Sequence, residues 1–350
     1  MNSRRMYGID LFRVLAALVV FMYHNGWKNY GIFNAFFSMG AIFMTAFFMM
    51  SGFTLFCVQN NSLDTIEKLK IFYLKRAISI YPIYWLYILC CGILSNEQLI
   101  DRIMVMPIKI LGLQSLWHCT IMADWLGGMG TWFISCILFC YLFFPFIFRV
   151  VKQLSVKSRI MLFMFLYIFS FYSEIMTKIT GWNYFCSNYA DSVFRMAEFS
   201  IGVILASFIR DIGQRISFIT SWPVFILEII ILVTGVTVGI KCGIGQNNYL
   251  LYNILAVPMF ALMLWTLSNI KISGWPMKII MFLSNISYAF YLMQYFAWKY
   301  VDRILNRLNW NGNWIRFSTA LFMTIILSAM VTYVFERPVS KWWRSKTLGA

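Results

Sequence analysis

Charge is scarce in this chain. Asp, Glu, Lys and Arg make up 12% of its 350 residues, against about 25% in a soluble domain, too little to clothe a water-exposed surface. Only 13 residues are acidic and two are histidine. There is no CxxC and no Cys/His spacing typical of zinc, so no metal site is expected. There is also no Pro/Gly/Ser linker, low-complexity tract or internal repeat, so one transmembrane domain over 1–350 is expected rather than a tandem array. About 15 residues follow the last apolar block, and an attached soluble catalytic domain is not expected.

What is present is apolar side chain, 61% of the total. It comes in blocks of about 17 to 25 residues, each long enough to cross a hydrocarbon core. The blocks predict ten transmembrane helices near 8–25, 33–58, 77–95, 131–148, 160–176, 194–209, 218–240, 249–268, 277–298 and 315–335. The expected fold class is therefore all-α, a polytopic membrane helix bundle. Trp and Tyr collect at span ends, as interfacial residues do.

The net charge of +16 could suggest nucleic acid, but in a lipid-embedded chain the placement of Lys and Arg matters more than their sum. With the N-terminus inside, 18 of the 29 cations fall in inner segments and nine in outer ones. Both termini are therefore expected in the cytoplasm of a multi-pass protein of the cell membrane, with the lipid bilayer and no nucleic acid as partner. Arg4 and Arg5 precede an apolar run as in a signal peptide, but Asp10 and Arg13 interrupt it and no A-x-A-like cleavage site follows. The first segment reads as a retained helix.

The longest stretches between spans, 96–130 and 177–193, fall outside. Residues 110–123 are apolar but too short to span, which suits an interfacial or re-entrant segment. Cys119, Cys186 and Cys242 also fall on that side, where one disulfide among them is open if the compartment is oxidising. The five cysteines inside spans read as ordinary buried thiols.

An ionisable residue in a span costs roughly 2.5–3.5 kcal/mol on insertion scales, so each needs a partner or a purpose. At about 100° per residue, Asp10, Arg13 and His24 share one face of the first helix within ~60°. Asp10 and Arg13 are three apart and can pair. His24 stands ~16 Å further along. Imidazole is the side chain best suited to accept a proton from a hydroxyl near neutral pH, which makes His24 the leading candidate base. The plain reading is an interfacial histidine and an anchoring ion pair.

These residues resemble a known family. GIDLFRVLAALVVFMYH carries the Arg, ten residues, His signature of the acyltransferase-3 membrane proteins, with the usual Gly and Asp upstream. FFMMSGF (Phe47 to Phe53), KRAISIYPIYW (Lys75 to Trp85), TWFISCILFCYLFFP (Thr131 to Pro145), SYAFYLMQ and FERP follow in the family's order, from Gly8 to Pro338 overall. The resemblance implies transfer of an acyl group, most often acetyl, from cytoplasmic acyl-coenzyme A as donor substrate to a hydroxyl of a carbohydrate or cell-envelope glycan. No permanently bound cofactor is implied. A glycan-synthesis enzyme or a secreted transferase is the kind of partner such a protein would work beside.

By resemblance His24 is catalytic and Arg13 its companion; Asp10, three residues before Arg13, is expected to orient it. Lys75 and Arg76, with Tyr81 in the same motif, suit the donor's phosphates at the inner mouth. Against that, the positive-inside rule puts cations there in any membrane protein, and Tyr81-Pro82 reads equally as a kink. The sequence departs from the family at Ser79, where a second arginine is common, at Ile137, where some members carry glutamate, and at Gln294, where histidine is frequent.

Second-tier candidates each carry a plainer reading. Ser51 and Gly52 suit close helix packing. Trp132 is the second residue of the fourth motif. Arg195 and Glu198, three apart, suit a structural pair, and Glu336 a local salt bridge to Arg337. His118, near Trp117 and Asp124, could touch a glycan but reads more plainly as interfacial. A glycan or lipid transporter or flippase is the chief rival and a ligand sensor the third; a transporter predicts matching broken helices in two halves, which the sequence does not show.

Overall fold

In lipid every backbone polar group must find its partner inside the chain, and apolar blocks of this length meet that demand as helices. The computed structural model describes residues 5–24, 34, 38–59, 62–94, 106–116, 130–180, 188–212, 221–242, 249–310 and 312–348. Among these, eleven α-helices are named in chain order: α1 Tyr7–Tyr23, α2 Gly40–Val58, α3 Ile66–Leu94, α4 Thr131–Gln153, α5 Val156–Thr180, α6 Ser192–Ile212, α7 Trp222–Lys241, α8 Asn253–Asn269, α9 Gly274–Arg307, α10 Asn313–Met330 and α11 Arg337–Thr347. A π-helical stretch, Val331–Glu336, joins the last two. No strand occurs among the described residues.

Each of the ten expected spans falls on one of α1 to α10. Among the described residues seven helices are long and apolar enough to cross a membrane: α2, α3, α4, α6, α7, α9, and α10 continued through α11. The remaining expected spans are α1 and α8, of 17 residues each, and α5, of 25. The chain is an all-helical polytopic bundle.

By packing, the chain divides into two compact units. The first comprises Met1–Ser62, Phe144–Tyr189 and Val193–Ser284. Within it α1, α2 and α8 pack on one another, and α8 also meets α5 and α7. Glycine permits the closest approaches. A Cβ on Gly52 of α2 would overlap the carbonyl oxygen of Phe199 on α6, and one on Gly202 of α6 would overlap that of Met49 on α2. The two glycines thus form a reciprocal pair at which two backbones touch, the arrangement small residues make possible between helices in lipid. Gly8 lies likewise on the backbone of Leu267 in α8. Phe12 of α1 and Phe43 of α2 each meet Phe260 of α8, with ring centroids 5.9 and 5.1 Å apart.

The second unit comprises Leu63–Phe143, Ala190–Ser192 and Asn285–Ala350. The Tyr73 hydroxyl on α3 donates to the carbonyl of Leu142 on α4 at 2.9 Å. Residues 106–111 form a short helix ended by Gly112 at φ +71°. Its carbonyls face the middle of α3: Lys109 accepts from Tyr84, Ile110 from Trp85 and Leu111 from Tyr81, at 2.6, 3.0 and 3.1 Å. Gln114 then donates to the carbonyl of Thr131 at the start of α4. The described part of the apolar segment is thus seated against α3; its remainder, 117–123, lies outside the described residues. His118, with Trp117 and Asp124, and Cys119 and Cys186 also lie outside them.

Candidate functional site

Helix α1 carries the first cluster because its only buried charge, Asp10, sits on the same face as Ile9, Ala16, Ala17 and Val20. Asp10 is 6% exposed. Three groups compensate its charge. Arg5 pairs with Oδ2, Arg13 stands 3.5 Å from Oδ1, and the Ser284 hydroxyl of α9 donates to Oδ1 at 2.6 Å. Arg13 Nη1 also reaches Ser284 Oγ at 3.4 Å, closing a triangle of Asp10, Arg13 and Ser284. The arginine is thereby held from two sides while about a third of its side chain stays accessible. Such an arrangement fixes a guanidinium in one direction while part of it stays accessible.

His24 is the C-cap of α1, half-buried, its ring 5.8 Å from that of Tyr23. Helix rise puts it ~16 Å from Arg13. Asp10 and Arg13 are thus brought together and His24 stands beyond them at the far end of the same helix.

Arg195 and Glu198 on α6 form a second cluster, 1% and 0% exposed, joined at 2.8 Å to both carboxylate oxygens. Sequence spacing anticipates the pair, but not its company. Thr45 of α2 and Asn253 of α8 both donate to Glu198 Oε1, at 3.0 and 2.9 Å, and Arg195 Nε donates to the carbonyl of Tyr189 at 2.7 Å. Ion pair, hydroxyl and amide knit three helices in the core of the first unit.

Ser51, also in that unit, is half-buried and its carbonyl accepts from Thr54 Oγ1 at 3.3 Å; the close backbone contact is made by Gly52 beside it. Glu228 of α7 was not singled out by sequence reasoning, although an acid within PVFILEIIIL is itself a signal. It is 4% exposed and its Oε1 accepts from Thr266 of α8 at 2.8 Å.

Lys75, Arg76, Tyr81, Trp132 and Glu336 belong to the second unit. Lys75 is exposed. Arg76 is half-buried, its guanidinium carbon 6.0 and 5.8 Å from the ring centres of Phe72 and Tyr141, and its buried Nε has no hydrogen-bond partner among the described residues. The Tyr81 hydroxyl is engaged by Leu111, so its plainest role is to seat the short segment. Trp132 is half-buried and its carbonyl accepts from Ser115 Oγ. Glu336 is half-buried beside Arg337 and Arg344. Of the positions that depart from the resemblance, Ser79 is exposed and Ile137 buried. Gln294 is buried and donates to the carbonyl of Tyr291 at 2.7 Å.

Comparison with known proteins agrees with these motifs. The family profile described as Acyltransferase domain, of the acyltransferase-3 type, matches residues 6–333, nearly the whole chain. No curated protein and no solved structure shows significant similarity to it.

Proposed function

The chain belongs to the acyltransferase-3 family and is an integral membrane acyltransferase; on that premise we propose that it moves an acyl group, acetyl foremost, from cytoplasmic acyl-coenzyme A to a hydroxyl of a cell-envelope glycan. The observation that best supports this is the single polar face of α1, where Asp10 and Ser284 hold Arg13 and a histidine stands at the helix end.

In this reading His24 takes the proton of the acceptor hydroxyl. The oxygen attacks the thioester carbonyl, the C–O bond forms, and the C–S bond breaks as the tetrahedral intermediate collapses. The coenzyme thiolate leaves and recovers the proton from the imidazolium, so atoms and charge balance. Arg13, a cation held in one orientation ~16 Å along α1 from His24, binds and positions the donor along the helix rather than at the reacting carbonyl. Asp10 acts through Arg13 and is a positioning residue. Exposed Lys75 and the Arg76 guanidinium, with its unengaged Nε, suit the phosphates of the nucleotide.

The test is transfer of label from acetyl-coenzyme A into the envelope glycans of cells expressing the protein. Wild type is compared with His24→Ala and Arg13→Ala present at equal, folded levels. Label with wild type and at least a hundredfold less with either variant is the expected result. Equal labelling in His24→Ala removes the proposed base, and no label with wild type removes either the acetyl donor or the glycan acceptor.

A further inference from the structure

Helix α11, which continues α10, is a cationic amphipath. From Arg337 to Leu348 there are four cations, Arg337, Lys341, Arg344 and Lys346, and no acid; the nearest carboxylate is Glu336, beside Arg337 and Arg344. At about 100° per residue, Arg337, Lys341 and Arg344 form one stripe at i, i+4 and i+7. All three are exposed.

A neighbouring face of α11 is fastened. Ser340 is buried and its hydroxyl donates to the carbonyl of Ile78 on α3 at 3.1 Å. Trp343 stacks on Trp85 of α3, centroids 5.8 Å apart and planes 21° from parallel. Arg337 lies over the Tyr333 ring at 4.1 Å. One turn before Ile78, exposed Lys75 adds a cation to the same unit's surface. Trp342, the largest apolar side chain of α11 left outward, is 63% exposed.

We infer that α11 is an interfacial helix that binds anionic phospholipid headgroups, with the Arg337, Lys341 and Arg344 stripe on the phosphates and the Trp342 indole at headgroup depth. Among the described residues Glu336 is the carboxylate beside this row, near Arg337 and Arg344, and all three cations of the row remain exposed. Basic residues next to a transmembrane helix are drawn to an anionic leaflet, and indole prefers the headgroup level. Positive-inside placement accounts for scattered cations at a helix end; it does not account for three cations aligned on one side of α11 with an exposed tryptophan at the same height, about 100° or more round the helix.

The experiment uses the full chain in vesicles of equal parts phosphatidylcholine and phosphatidylglycerol, with bromine as fluorescence quencher on one lipid or the other. The Trp342 signal is the difference between wild type and Trp342→Phe. Stronger quenching from the brominated anionic lipid is expected, corresponding to enrichment of about fivefold or more at low salt and declining as salt rises. Lys341→Gln combined with Arg344→Gln should abolish the preference. Equal quenching by the two lipids in wild type, no Trp342 quenching by either, or a preference untouched by the double substitution would each overturn the inference. The wild-type comparison decides even if the double variant does not fold.

Discussion

Whether an arginine or a carboxylate can live in a helix bundle depends on its immediate neighbours. Removing one member of a buried pair leaves a bare charge, at a cost of about 3–5 kcal/mol. Glu198→Ala should therefore lower thermal stability in detergent by roughly that amount, whereas Thr45→Val, which loses one hydroxyl from the same network, should cost only about 1 kcal/mol. Asp10→Asn keeps the shape and an acceptor for Ser284 but removes the carboxylate charge that Arg5 and Arg13 share. Its expected effect is a fall in acyl transfer on the order of tenfold to a hundredfold, with folded yield retained. Because Asp10 acts by positioning, donor KM and kcat should both change, which a kinetic comparison with Arg13→Lys can check. The two i, i+3 pairs are legible in the sequence because helix spacing alone dictates them. Arg5, Ser284, Thr45 and Asn253 are not: the last three reach their carboxylates across 274, 153 and 55 residues, and no local pattern encodes such meetings.

Among the helices, glycine gives the sharpest contrast. Gly202→Ala would drive a methyl into the Met49 carbonyl and should destabilise the first unit by about 1–3 kcal/mol. In α3, a Cβ on Gly92 would meet nothing within 4 Å, and Gly92→Ala should be neutral or stabilise by about 0.5–1 kcal/mol. Thermal unfolding of both variants in one detergent tests the difference. Hydropathy located ten helices among the described residues, seven of them long and apolar enough to cross a membrane, but not their lengths. Helix α3 starts at Ile66 rather than near 77, and α9 runs from Gly274 to Arg307 rather than 277–298. Lys, Arg and Glu are good helix formers, so a helix continues past the apolar stretch that a hydropathy reading can see.

For the whole molecule, the distribution of Lys and Arg leads us to propose cytoplasmic termini, and a green fluorescent protein fused at the C-terminus should be fluorescent in cells whose exported fusions stay dark. The same protein fused to the loop between α7 and α8 should stay dark; the reverse pattern would invert the topology. Even spacing of the apolar blocks suggests uniform association from end to end. The division into two units, with chain segments alternating between them, depends on which faces meet, and a list of hydropathies does not contain that information.

The Arg195, Glu198, Thr45 and Asn253 cluster also sets a clock for biogenesis. Thr45 leaves the ribosome 208 residues ahead of Asn253, a wait of roughly 10–40 s at ordinary elongation rates. Asp10 waits longer still for Ser284, 274 residues later. Until α8 and α9 are made, the early helices must keep their polar groups beside the insertion machinery, a chaperone or one another. A nascent chain stalled before α8 would expose an unfinished polar seam to membrane quality control.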